Sequence, residues 1–65
     1  MVFKISLKAA RVNADMTQEE AAKLLNVDKS TIASWENGKT QPKYNQAIKL
    51  SEIYGFPYDY INFSV

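Results

Sequence analysis

The side chains of this chain that are best equipped to bind a partner are lysines, hydroxyls and amides in and around STIASWENGKTQP, residues 30–42. Between Lys29 and Lys49 there are four lysines and a single acid, Glu36, although the formal charge of the whole chain is only +1. Lysines donate hydrogen bonds and attract anions, whereas serine and threonine hydroxyls both donate and accept. The small, neutral side chains between the lysines favour close approach to something large.

The same composition argues against catalysis. The chain has no Cys and no His, which removes disulfides, thiolate nucleophiles, the usual zinc ligands and the ordinary general base near neutral pH. Glu19 and Glu20 are a carboxylate pair in sequence, but adjacent residues on a helix do not face each other. Both suit the positive N-terminal end of a helix instead. We therefore expect no enzymatic activity, no metal site and no cofactor.

The length of the chain limits its organisation. A chain of 65 residues buries only about 60% of its unfolded surface and has no room for a second core, so we expect one domain over residues 1–65. Without a second domain, we expect no binding of a small-molecule ligand. The apolar runs are only a few residues long, so we expect neither a membrane span nor a secretory signal, and we expect a cytoplasmic protein.

Apolar spacing and capping signals predict the first two helices. One face of a first helix is formed by residues at i, i+3, i+4 and i+7, namely Leu7, Ala10, Arg11 and Ala14. The second helix begins at Thr17, whose side chain can cap the Glu20 amide while the Glu20 side chain reaches back, in a capping box. It ends at Asn26, a residue type that tolerates left-handed backbone.

A third helix is predicted after a short turn, over roughly residues 29–37. Asp28 is a good N-cap residue, and Gly38 accepts the left-handed position that follows a helix. Ile32 and Trp35 have the spacing of an inward face, so we assign them to the core. The outer face lacks the mixture of Glu and Lys that is usual on a solvated helix; it consists of Lys29, Ser30, Ala33 and Ser34.

A fourth helix is predicted after Pro42 and ends at Gly55, with a buried stripe of Ala47, Leu50, Ser51 and Tyr54. The segment FPYDYINFSV, residues 56–65, allows one further short helix that starts near Pro57. Together these elements predict an all-α fold, a compact bundle of about five short helices.

The second and third helices, over about residues 17–37, have the spacing of a helix-turn-helix, which places its second helix in the major groove of DNA. The stretch MTQEEAAKLLNVDKSTIASWENGKTQP closely resembles the phage repressor and Cro-like (XRE-type) helix-turn-helix family, with its pattern T-Q-x-x-x-A-x-x-x-x-V-x-x-x-x-I-x-x-W-E-x-G. The resemblance continues through YNQAIKLSEIYGFPYDYI and covers residues 7–61. Asn26 is a departure, because many relatives carry Gly in the turn.

The resemblance implies a lambda-repressor-like fold and a sequence-specific DNA-binding transcriptional regulator, most simply a small phage- or prophage-type repressor. Such a protein occupies a two-fold symmetric operator in double-stranded DNA. The positions that match base-reading residues are Lys29, Ser30, Ala33 and Ser34. Lysine can donate to guanine O6 and N7, whereas serine serves either base type and reads weakly.

The resemblance also implies contacts to phosphates and one buried ion pair. The positions that match phosphate contacts are Gln18, Thr31, Asn37, Lys39, Thr40, Lys43 and Tyr44, the last through its amide. Glu36 resembles the family's buried partner of the arginine on the first helix, here Arg11. Each surface position keeps an ordinary alternative: the lysines as solvated side chains, Gln18 and the serines as plain helix surface.

The C-terminal segment carries more apolar and aromatic surface than a short terminal helix can hide; its members are Phe56, Tyr58, Tyr60, Ile61, Phe63 and Val65. A single helix-turn-helix reads too few base pairs for useful genomic selectivity. We therefore expect a homodimer, at least on DNA, whose contact includes Tyr58, Tyr60 and Phe63. The alternative is that these aromatic residues simply close the small core.

Two function classes remain open. In the first, the chain is a repressor in the bacterial nucleoid or in the cytoplasm of a phage-infected host, either Cro-like and complete or the DNA-binding part of a longer protein. In the second, it is an antitoxin or adaptor whose helical face binds a protein and whose DNA contact is secondary. The face of lysines and serines matters for the first function, and the aromatic tail matters for the second.

Overall fold

Four α-helices account for most of the residues that the structure describes. The computed structural model describes residues 4–63. Its helices are α1 at Leu7–Asn13, α2 at Gln18–Leu25, α3 at Lys29–Glu36 and α4 at Tyr44–Tyr54. Within residues 4–63, none of these helices is long and apolar enough to cross a membrane.

The helices begin where side chains satisfy the first backbone N–H groups. On α2 the predicted capping box is confirmed: the Thr17 hydroxyl accepts from the Glu20 N–H at 3.1 Å, and the Glu20 carboxylate accepts from the Thr17 N–H at 2.9 Å. The hydrogen bond from the Thr17 backbone, followed by that to its side chain, lowers the pKa of Glu20. Ser6 caps α1 by accepting from the Ala9 N–H at 3.1 Å, a serine cap that we had not predicted.

The core lies where the four helices meet. Ala10 and Ala21 are fully buried, and their small size lets α1 and α2 approach their neighbours closely. Ile32 is also buried, and burying a side chain of this size stabilises the fold by about 1.5 to 3 kcal/mol. The predicted stripe on α4 is confirmed, since all four of its members are buried: Ala47, Leu50, Ser51 and Tyr54.

A short parallel sheet joins the two ends of the described chain. Its strands are β1 at Ile5–Ser6 and β2 at Ile61–Asn62, and Ile5 pairs with Ile61. Parallel strands need a long crossover connection, which the four helices supply. Ile61 is only 2% exposed, so this pairing also adds a branched apolar side chain to the core.

The predicted all-α character is broadly confirmed, whereas the predicted number of about five helices is slightly too high. Where a fifth helix was expected near Pro57, the chain forms a single 3₁₀ turn at Tyr58–Tyr60 and then enters β2. Branched and aromatic residues favour extended backbone when a partner strand is present, and β1 is that partner. The fold is therefore mostly helical, with one small β-pairing. Val65, which we grouped with the aromatic tail, lies outside the described residues.

Candidate nucleic-acid interface

One residue in left-handed backbone sets the turn between α2 and α3. Asn26 has φ 58° and ψ 46°, which confirms the predicted exit from α2. The Asn26 N–H donates to the Lys23 carbonyl at 3.2 Å, and the Val27 N–H donates to the Ala22 carbonyl at 3.0 Å. These bonds satisfy the last carbonyl groups of α2, so the turn needs only residues 26–28 before α3 begins.

The start of α3 is confirmed in position, but not in its expected cap. Asp28 is the N-cap residue, yet its side chain makes no capping hydrogen bond. The Thr31 N–H donates instead to the backbone carbonyl of Asp28 at 3.0 Å.

The two faces of α3 differ as predicted. Ile32 and Trp35 are buried in the core. Of the residues predicted to read bases, Lys29 and Ser30 are exposed at the start of the helix, and the others are half-buried further along: Ala33 and Ser34. The most accessible part of the outer face is therefore the first turn of α3.

Ser34 joins α3 to the loop that follows it. The Ser34 and Thr40 hydroxyl oxygens are 2.8 Å apart and share a hydrogen bond, and the Ser34 carbonyl accepts from the Lys39 N–H at 3.0 Å. Gly38 has φ 76°, so the left-handed position predicted for it is confirmed. Sequence reasoning missed this hydroxyl pair, which gives Ser34 a role in shaping the loop.

The loop and the start of α4 collect most of the residues that the resemblance assigned to phosphates. Five of them are exposed within the single segment 37–44, namely Asn37, Lys39, Thr40, Lys43 and Tyr44. Thr31 is half-buried on α3, away from this segment in sequence. Lys43 stands at the start of α4, where its own N–H donates to the Gln46 side chain at 2.8 Å.

A buried network of charges fixes α1, α2 and α3 relative to one another. The Arg11 guanidinium donates to Glu36 through Nε at 2.7 Å and through Nη2 at 3.3 Å, and its Nη1 donates to the Met16 carbonyl at 2.8 Å. The hydrogen bond to Glu36 raises the pKa of Arg11, against the opposing effect of burial. The predicted ion pair is thus present, with only 4% of the Glu36 side chain exposed.

Gln18 belongs to the same network. Its Nε2 donates to the Glu36 carboxylate at 3.0 Å. One N–H group of the Gln18 side-chain amide is therefore used by Glu36, and the other N–H group is the one that can bond a partner outside the protein. This contact could not be predicted from a local pattern, because 18 residues separate the two side chains along the chain.

Lys29 has an ionic neighbour at the start of α2. Its Nζ lies 3.7 Å from the Glu19 carboxylate, and the two side chains are 59% and 69% exposed. Gln18, Glu19 and Lys29 border one shallow surface depression. The start of α2 and the start of α3 therefore share a surface.

A helix-turn-helix family model matches residues 7–61. The match runs from the start of α1 to the first residue of β2. The chain belongs to this helix-turn-helix family. The predicted resemblance is confirmed.

Three relatives are similar to this chain over most of its length. The chain is 36% identical over 56 residues to the cryptic phage CTXphi transcriptional repressor RstR of Vibrio cholerae, covering 86% of this chain and 50% of the repressor. It is 36% identical over 55 residues to the HTH-type transcriptional regulator ImmR of Bacillus subtilis, with 85% and 43% covered. It is 38% identical over 53 residues to an uncharacterized HTH-type transcriptional regulator of Methanocaldococcus jannaschii, with 82% and 80% covered. The chain thus spans about half the length of the first two relatives.

The aromatic tail of this helix-turn-helix protein reaches back to the candidate interface. Tyr58 lies edge-on to Tyr44 with ring centroids 5.6 Å apart, and it stacks on Phe63 at 5.1 Å. Tyr44 is 71% exposed and Tyr60 52% exposed, whereas Phe63 packs partly against the core. Sequence reasoning considered only the amide of Tyr44 and missed its ring contact with the tail.

Proposed function

We propose that this protein is a sequence-specific DNA-binding transcriptional regulator, a phage-type repressor that binds a two-fold symmetric operator with α3 in the major groove. The observation that carries the proposal is the locked α2–α3 unit, in which Glu36 bonds both Arg11 and Gln18 while Lys29 stays exposed. A helix-turn-helix reads base edges with the N-terminal residues of its second helix, and Lys29 and Ser30 at the start of α3 are exposed. The names of RstR and ImmR, a transcriptional repressor and a transcriptional regulator, support the proposal.

Base reading is assigned to the outer face of α3. Lys29 donates to guanine O6 and N7, and Ser30 bonds either base type. Ala33 offers its methyl group to a thymine methyl. Ser34 shares its hydroxyl with Thr40, so it contributes to recognition mainly by holding the loop beside α3.

Phosphate binding is assigned to two groups of donors on either side of α3. The first group lies at the start of α2, where the outward N–H of the Gln18 amide is joined by backbone N–H groups of the first turn. The second group follows α3, with the ammonium groups of Lys39 and Lys43 as its charges, and it also includes Asn37, Thr40 and the Tyr44 amide. Thr31 serves a flanking phosphate from α3 itself.

A homodimer is part of the proposal, because a two-fold operator needs two copies of α3. The exposed aromatic residues of the tail support a contact there, with Tyr58 38% and Tyr60 52% exposed. Phe63 stacks on Tyr58 and so helps to position the Tyr58 ring for this contact.

Selection from a random duplex library tests the proposal. We expect a two-fold symmetric winner whose half-sites are centred about 34 to 36 Å apart, or a multiple of that distance. Fluorescence anisotropy of the winner against scrambled DNA should then show a preference of about 10³-fold or more. Equal and weak binding to all duplexes, even at low salt, would exclude a repressor and favour a protein partner for the aromatic tail.

A further inference from the structure

Glu19 is a carboxylate placed on a surface that otherwise gathers donors. Its neighbour Glu20 is used by the capping box with Thr17, but the Glu19 side chain points outward and is 69% exposed. Glu19 borders the same shallow depression as Gln18 and Lys29. If this surface bound only phosphates, a carboxylate in this position would be unfavourable, because it repels the DNA backbone.

The contact between Glu19 and Lys29 does little for the fold. An exposed ion pair with its charged atoms 3.7 Å apart stabilises a protein only slightly. Both side chains can therefore exchange this contact for one with a ligand at small cost. What the pair does provide is a donor and an acceptor side by side on the surface that bears the first turn of α3.

We propose that Lys29 and Glu19 read one G·C base pair together, Lys29 donating to guanine and Glu19 accepting from the cytosine N4 amine. The inference rests on the proposed function and adds a specificity-determining residue to it. Guanine O6 and cytosine N4 are hydrogen-bonded to each other within the pair, so they lie about 2.9 Å apart. The 3.7 Å between Lys29 Nζ and Glu19 Oε1 is close to that spacing.

The order of groups across the major groove favours G·C over A·T. Guanine presents N7 and O6 as two neighbouring acceptors, and cytosine then presents its N4 donor. Lys29 can bond both guanine acceptors while Glu19 takes the donor next to them. An A·T pair presents the adenine N7 acceptor, then the adenine N6 donor, and then the thymine O4 acceptor. The N6 donor thus separates the two acceptors, and the thymine methyl group crowds O4. The Lys29–Glu19 pair is therefore matched to one orientation of one base pair.

A cycle of protein and DNA changes tests the inference. The operator comes from selection with the unmodified protein, and the relevant base pair is the one whose identity Lys29→Ala relaxes. At that pair, cytosine is replaced by N4-methylcytosine, which keeps base pairing but places a methyl group on the donor position. We expect Glu19→Ala to weaken binding to the unmodified operator about tenfold, yet to change binding to the methylated operator less than twofold. The coupling between the two changes measures the contact.

Two controls separate base reading from charge and from folding. Glu52→Ala removes the same charge from an exposed position on α4, and it should leave base preference unchanged. Glu19→Gln keeps the size of the side chain and one carbonyl acceptor, so it should retain more of the preference at the same base pair than Glu19→Ala does. If Glu19→Ala strengthens binding to every duplex alike, Glu19 acts only by repelling phosphates and the inference is wrong. If the unmodified protein enriches no sequence at all, the proposed function itself fails, which is a different result.

Discussion

Arg11 on α1 and Glu36 at the end of α3 form a buried ion pair whose closest atoms, Nε and Oε2, are 2.7 Å apart. The pair joins the first helix to the helix that carries the candidate base-reading residues. Gln18 bonds the same carboxylate from α2. Three helices are thus positioned by one acidic side chain, and the charge of that side chain is compensated inside the protein.

Removing one partner of this pair should be far more costly than removing both. We expect Glu36→Met and Arg11→Met each to lower the free energy of unfolding by about 3 kcal/mol, because each leaves the charge of the other residue buried without its counter-ion. The double variant Arg11→Met/Glu36→Met should lose clearly less than the sum of the two single losses. Urea unfolding of all four proteins measures this coupling. Strictly additive losses would contradict the role we assign to the pair.

A second stability prediction concerns Asn26, whose backbone is left-handed. Asn26→Ala should destabilise the protein by about 1 kcal/mol, because an L-residue other than Asn or Asp pays more for φ near 58°. Asn26→Gly should be neutral or slightly stabilising. Thermal unfolding followed by circular dichroism compares them with Asn13→Ala, a control at an exposed position on α1. Equal losses for Ala and Gly at position 26 would rule out the backbone explanation.

Because Tyr54 is buried, the protein should lose stability at alkaline pH. Burial raises the pKa of Tyr54 to about 12 from 10.0, and the nearby Glu36 carboxylate adds to the effect. A group whose folded-state pKa is raised contributes stability that is complete below the unfolded pKa and disappears as pH rises through the folded pKa. Relative to Tyr54→Phe, the unmodified protein should therefore lose about 1 kcal/mol between about pH 8 and about pH 11. A difference between the two proteins that stays constant over this range would oppose the prediction.

Lys39 should act on affinity without acting on sequence preference. If its ammonium group binds a phosphate, Lys39→Ala should reduce the slope of log K against log[salt] by about one. Lys23→Ala removes an equal charge from the last turn of α2 and should leave the slope unchanged. Anisotropy titrations of selected and scrambled duplexes at several salt concentrations measure both slopes. A change in base preference with Lys39→Ala would assign Lys39 to bases instead.

The tail residue Tyr60 should matter for self-association. Tyr60→Ala is expected to shift the monomer–dimer equilibrium toward monomer and to weaken operator binding more steeply at low protein concentration. Leu24→Ala is a matched control, because Leu24 is also 52% exposed but lies on α2. Sedimentation equilibrium with and without operator distinguishes the two variants. An unchanged equilibrium for Tyr60→Ala would remove the tail from the proposed dimer contact.

The features predicted correctly from the sequence depend on residues close together in the chain. The capping box of Thr17 and Glu20 spans three residues, and Asn26 and Gly38 act through their own backbone angles. Because such signals are local, they can be read before the fold is known. The Arg11–Glu36 pair was found in a different way, through the resemblance to a family whose members share it.

The features that the sequence did not reveal depend on distant contacts. Nothing local distinguishes Ile61 as a strand residue, because its extended backbone is stabilised by pairing with Ile5 at the other end of the chain. The contact of Gln18 with Glu36 and the ring contact of Tyr44 with Tyr58 likewise follow only once the helices are packed. The DNA contacts and the dimer contact assigned to the exposed residues are predictions.

The pairing of β1 with β2 also has a mechanical consequence. Because the strands are parallel, the chain enters the sheet at the end where Ile5 meets Ile61 and leaves it at the opposite end, where Ser6 meets Asn62. A force that pulls the two termini apart therefore slides the strands along each other and strains their hydrogen bonds together, as in a lap joint. When the protein is stretched in a single-molecule trap, the β1–β2 pairing should resist the force first, before tension reaches the helices between the two strands.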